Sequence, residues 1–166
     1  MFPHPDRGTP PVLNTQRLSP KNQVTLSRDL RALAAGDGAP VEHLRGIQHG
    51  LAKDGSGELF PVILLMTEAE LRRREDRILA DPALDGATRL ALVTRLNGGA
   101  ARMALDGQNR IVLPPHFVAY LGLEREIFLN DTNTTVQAWN PQHYLRWSGR
   151  DAGVVVDPLL TSYLAI

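Results

Sequence analysis

The chain has 166 residues, 43% of them hydrophobic, with 18 basic and 18 acidic side chains and no cysteine. That length fits one compact domain or two small halves sharing a core, and the missing thiols exclude a disulfide framework, a thiolate zinc site and a cysteine nucleophile. A formal net charge of zero argues against gripping nucleic acid by bulk charge, and no apolar run suggests a membrane span or a signal peptide.

A cytosolic, reducing setting is therefore expected, and the Asn-x-Thr triplets at Asn130 and Asn133 read as loop chemistry. In chain order, residues 1–14 hold Pro3, Pro5, Pro10 and Pro11 with few apolar side chains, which predicts a loose, flexible arm. A first unit, 15–80, opens from about Gln16 to Leu33 with a strand, a tight polar loop, a strand and a short helix, ending at Gly36 and Gly38. Residues 41–66 read as a long hairpin around the turn KDGSGE, and Pro61 places its second strand at an edge or delays its start. Thr67-Glu-Ala-Glu70 is a capping box, with the threonine hydroxyl and the N3 glutamate satisfying helix amides. A helix from Glu68 to Ala80 follows, ended by Asp81-Pro82.

The connecting segment 81–99 predicts a helix over Ala87 to Leu96, with Leu90, Ala91, Val93 and Leu96 on an apolar face and a stop at Gly98-Gly99. In the second unit, 100–147, alternation puts Ile111 and Leu113 on one face of a strand. Pro114 or Pro115 suits the first turn of a helix and Gly122 its stop. A hairpin runs from Arg125 to Leu129 and from Thr135 to Trp139 around NDTNT. Asn140-Pro141 caps a last helical turn with Tyr144 and Trp147, and the tail 148–166 is apolar enough to pack against something.

The two units repeat one phrase. Leu18 aligns with Leu105, and the same offset of 87 pairs Asn22 with Asn109, Val24 with Ile111, Leu26 with Leu113 and Leu30 with Phe117. Such repetition sets the architecture before any single motif is weighed: an α+β chain built from two copies of one small unit. Local charge is uneven, with Arg17, Lys21, Arg28 and Arg31 against only Asp29 in the first copy, and Arg102 and Arg110 against Asp106 in the second.

The string Asp106-Gly-Gln-Asn-Arg110 followed by Ile-Val-Leu-Pro114 resembles the signature of the MraZ family. The likeness continues through Gly122-Leu123, the strand Ile127 to Leu129 and Trp139, and with the doubled unit it covers most of 15–147. That family is similar in fold to the AbrB swapped-hairpin transcription factors. The resemblance implies a tandem pair of swapped-hairpin units in a shared small β-barrel with short helices, assembled into homo-oligomeric rings. It also implies a DNA-binding regulator, nucleoid-associated, that recognises short direct repeats of double-stranded promoter DNA upstream of division and cell-wall genes. The first copy departs from the signature, with Ser19 and Gln23 at the Asp and Arg positions and Ser27 where the strand-ending proline would stand.

Arg110 is the sharpest candidate for DNA contact, because a planar guanidinium can bond guanine O6 and N7 or a phosphate in two places, whereas its alternative is an ion pair with Asp106. Gln108 and Asn109 offer amides able to read adenine or bond phosphate, matched in the first copy by Lys21 and Asn22. Lys21, Arg17 and Arg28 would add phosphate contacts and salt dependence. Asp106 and Gly107 are expected to structure the loop that presents Arg110, through an Asx-type turn. Arg72, Arg73 and Arg74, set among Glu70, Glu75 and Asp76, read as a salt-bridged helix face. The five histidines show no metal spacing and no serine has a nucleophile's context, so no catalytic residue, metal, cofactor or small-molecule substrate is expected. The alternatives are an oligomeric scaffold or interaction protein that has lost DNA binding, and an antitoxin-like module with its C-terminal segment as the toxin-binding tail.

Overall fold

A computed structural model describes residues 13–34, 40–53, 57–153 and 158–164. The expected arm over 1–14 falls almost wholly outside them, as do Gly36 and Gly38. The strands are β1 (Thr15–Arg17), β2 (Gln23–Thr25), β3 (His43–Ala52), β4 (Leu59–Met66), β5 (Ala100–Ala104), β6 (Arg110–Val112), β7 (Glu126–Asp131) and β8 (Val136–Trp139). The helices are α1 (Glu68–Ala80), α2 (Gly86–Gly98), α3 (Pro115–Leu121), α4 (Pro141–Ser148) and α5 (Pro158–Leu164), with 3-10 turns at Leu30–Ala34 and Arg150–Ala152.

Six strands form one antiparallel sheet in the order β1-β7-β8-β4-β3-β5, while β2 and β6 pair only with each other. That order reads the same backwards once each strand is exchanged for its repeat mate. Strand β1 of the first copy pairs with β7 of the second, and β5 of the second with β3 of the first. In the two-stranded ribbon, Val24 lies opposite Ile111, the residue exactly one repeat offset away. A pseudo-two-fold axis therefore passes between these two side chains, both of which are buried.

The expected barrel is not closed. Gln16 explains part of the gap: its Nε2 donates to Thr25 O (2.6 Å) and its Oε1 accepts from Thr25 N (2.9 Å), so a side chain occupies backbone groups through which β2 could extend a ladder. Pro61 also differs from expectation. It lies within β4, a central strand, opposite Gly50 of β3. Strand β8 covers only Ile63–Leu65, so no ladder on that flank demands the amide proton that proline lacks.

Strand β4 is nearly all apolar because both its faces are covered. Ile63 and Leu65 join the main core with Ile111, Leu113, Phe117 and Leu121, while Phe60 and Val62 join Phe128 and Trp139 on the other face. Helix α4 closes that second face, with Tyr144 and Trp147 against Trp139 at ring distances of 5.3 Å each. Gly46 allows Met103 and Phe117 to approach the sheet, since a Cβ there would lie 2.7 Å from each.

Local stop signals set the helix ends. Glu70 N donates to Thr67 Oγ1 (3.2 Å), but the Glu70 carboxylate turns to Arg73 (3.1 Å) and Arg74 (3.2 Å), so only half of the capping box forms. Gly122 (φ 65°) ends α3 in the left-handed region, and Asn140 caps α4 by accepting from Gln142 N (2.9 Å). The apolar face expected of α2 is not buried. Leu90 and Ala91 are exposed and only Val93 and Leu96 are half-covered, because α2 packs on α1 and the end of β5 rather than on the core. Buried Arg45 ties this helical pair to β3, donating to Glu68 Oε1 and Oε2 (3.2 Å each) and to Asn97 O (3.5 Å). No helix among the described residues is long and apolar enough to cross a membrane.

Candidate nucleic-acid interface

The loops Ser19–Asn22 and Asp106–Asn109 share one geometry. Asp106 Oδ1 accepts from the amides of Gln108 and Arg110 (2.9 Å each), and Ser19 Oγ accepts from those of Lys21 (3.2 Å) and Gln23 (2.9 Å). Each loop then enters its strand through an asparagine at positive φ, 60° at Asn22 and 61° at Asn109. Asparagine tolerates this region better than most residues because its short amide bonds locally. Serine thus does in the first loop what the carboxylate does in the second, without the charge.

The carboxylate does one thing more: its Oδ2 accepts from Arg110 Nε at 2.8 Å. The Arg110 amide, then its guanidinium and the Gln108 amide, hold the Asp106 carboxyl below the ordinary range, against an opposing desolvation effect. Nε is thereby fixed, while no described residue accepts from the two terminal nitrogens of Arg110. The ion pair and an outward-facing fork are compatible.

Strand alternation buries Val24 and Ile111 and leaves Gln23, Thr25, Arg110 and Val112 on the other face of the ribbon, Val112 at 52% exposure. Gln23, Thr25 and Arg110 line an open groove of about 830 Å³ together with Arg17, Asn22 and Arg125. Among the described residues, ion pairs engage Arg31, Arg45, Arg73, Arg74, Arg110 and Arg146, but neither Arg17 nor Arg125.

The other candidates are placed differently. Asn109 Nδ2 donates to Leu26 O and Arg28 O (3.0 Å each), so its amide anchors the loop to the first copy. Arg28 donates through Nη1 to Thr132 O and through Nη2 to Asn133 O (2.7 Å), fastening the β7–β8 turn. Gln108, Gly107 and Lys21 are exposed at the loop tips. Arg125 escaped the sequence reading. No local motif marks it, and it reaches the groove only because Arg125 O accepts from Leu18 N (2.8 Å) where β1 meets β7.

The family model described as "MraZ protein, putative antitoxin-like" matches residues 96–152. The proteins named transcriptional regulator MraZ from Deinococcus radiodurans and Acetivibrio thermocellus are 30% identical over 98 residues and 31% identical over 104 residues. Those stretches cover 57% and 58% of this chain and 66% and 72% of the two relatives. The like-named protein of Thioalkalivibrio sulfidiphilus is 30% identical over 84 residues, covering 51% of this chain and 55% of its own length. Together with the doubled loop geometry, these similarities show that the chain belongs to the MraZ family, whose named relatives are transcriptional regulators.

Proposed function

We propose that this protein is a sequence-specific DNA-binding transcriptional regulator of the swapped-hairpin kind, acting as a homo-oligomeric ring on promoter DNA in the cytoplasm and nucleoid. The observation that carries the reading is Arg110: clamped at Nε by Asp106, it keeps two donors in a groove it shares with Arg17 and Arg125. A pre-positioned guanidinium suits bidentate bonding to guanine or phosphate, and unpaired cations beside it suit the backbone. Oligomerisation is supported by the helical pair, which exposes Leu79 and Leu90, the latter at 67%. A ring would repeat a small interface many times, which compensates for a neutral chain with few phosphate contacts.

One observation favours a second reading, an oligomeric scaffold that has left DNA: the first loop holds Gln23 where the second holds Arg110. Purified protein titrated into a fluorescent fragment of its own upstream region, beside a scrambled fragment, separates the two. Arg110→Ala should weaken specific binding by about 1–3 kcal/mol and leave assembly intact. Absent binding, or equal binding of both fragments that the variant leaves unchanged, by a folded oligomer would favour the scaffold.

A further inference from the structure

The pseudo-dyad permits a comparison of the two sides of the ribbon, position by position. The repeat offset maps Arg17 onto Ala104, Gln16 onto Met103 and Arg110 onto Gln23. For the strands after each short helix, the equivalence comes from hydrogen bonding: Leu18 N donates to Arg125 O and its mate Leu105 N donates to Glu42 O. The arginines at 17, 110 and 125 thus face an alanine, a glutamine and a glutamate across the axis. Of the cations on that opposite side, Arg31 is held by Asp29 (3.0 Å) and Asp106 O (3.3 Å), and Arg102 corresponds to Thr15. The first side thus sets three arginines against Glu124 in the groove and Glu126 opposite Arg17, whereas the equivalent three positions across the axis hold no cation and one glutamate.

We infer that the phosphates of duplex DNA dock on one side of the pseudo-dyad only, at Arg17 and Arg125, while Gln23, just across the axis, is a second base reader beside Arg110. This rests on the DNA-binding reading above. Gln23 and Arg110 sit diagonally on the ribbon, two residues apart along the strands and one strand across. That separation is about 8 Å between backbones, so the two side chains address bases within two or three steps of each other. Their chemistry differs: a guanidinium fork matches guanine O6 and N7, whereas a glutamine amide matches adenine N6 and N7. The exposed Val112 beside Gln23 adds a surface suited to a thymine methyl.

The test uses the full-length protein and its upstream duplex, titrated by fluorescence anisotropy at several salt concentrations beside the scrambled duplex. Arg17→Ala and Arg125→Ala should each lower the slope of log K against log salt by about 0.9, whereas Arg102→Ala on the opposite side should leave it unchanged. Gln23→Ala should reduce the preference for the upstream over the scrambled duplex with no change of slope, as expected of a base contact. Circular dichroism confirms that each variant is folded. If Arg102→Ala lowers the slope as much as Arg125→Ala, or neither Arg17→Ala nor Arg125→Ala lowers it, one-sided docking is overturned while DNA binding stands. An unchanged preference in Gln23→Ala overturns its role as a reader. If the parent binds neither duplex, the DNA-binding reading falls and takes this inference with it.

Discussion

Replacing Asn109 by alanine separates a loop-anchoring role from a base-reading one, because Asn22 is a built-in control. Both asparagines hold the left-handed region, at φ 61° and 60°. Alanine at either position should cost about 1 kcal/mol for that conformation alone. Asn109 also donates two hydrogen bonds, to Leu26 O and Arg28 O, at 3.0 Å each. At a net of about 1 kcal/mol per bond, their loss adds about 2 kcal/mol. Against this, Asn109 Oδ1 is buried without an acceptor's counterpart, and removing it recovers up to about 1 kcal/mol. The expected losses are therefore about 2–3 kcal/mol for Asn109→Ala and about 1 kcal/mol for Asn22→Ala. Urea unfolding at one fixed protein concentration measures both, with unchanged m-values as the check that the transition is comparable. Equal losses at the two positions would refute the anchoring role and return Asn109 to the candidates for reading DNA.

Gly46→Ala should lose about 1–3 kcal/mol by overpacking, since its Cβ would stand 2.7 Å from both Met103 Cε and Phe117 Cε2. Gly50→Ala, whose nearest neighbour is Leu59 Cβ at 3.2 Å, should lose less, and thermal unfolding that ranks them the other way would contradict this packing. Because Asp106 is held below its ordinary pKa of 3.8 when folded, its stabilising contribution is present above that value and fades as pH falls through the folded pKa. The melting temperature of Asp106→Asn should accordingly lie below the parent's at neutral pH, with the gap closing under acid; a gap independent of pH would exclude the carboxylate as its cause.

Much of the fold is legible in the sequence where the determining chemistry is local. Helix α1 runs from Glu68 to Ala80, as its flanking Thr67 and Asp81-Pro82 predict, and α3 stops at Gly122 because a left-handed residue ends a helix wherever it is placed. The repeat was equally plain as an alignment of Val24 with Ile111, but that the two equivalent residues lie opposite each other came only with the structure. Tertiary structure decided what depends on distant pairing. Pro61 sits in a central strand because β8 ends short of it, and Leu90 stays exposed because α2 packs on α1 and the end of β5 rather than on the core, not because its helix lacks an apolar face. The same holds for the groove. Arg28 and Asn109 are drawn inward by carbonyls 104 and 83 positions away, whereas Arg125 comes beside Arg17 only once β1 crosses to β7. Composition records which side chains are present, but strand pairing between the repeats determines which of them face the same solvent, and that is where the sequence alone stops.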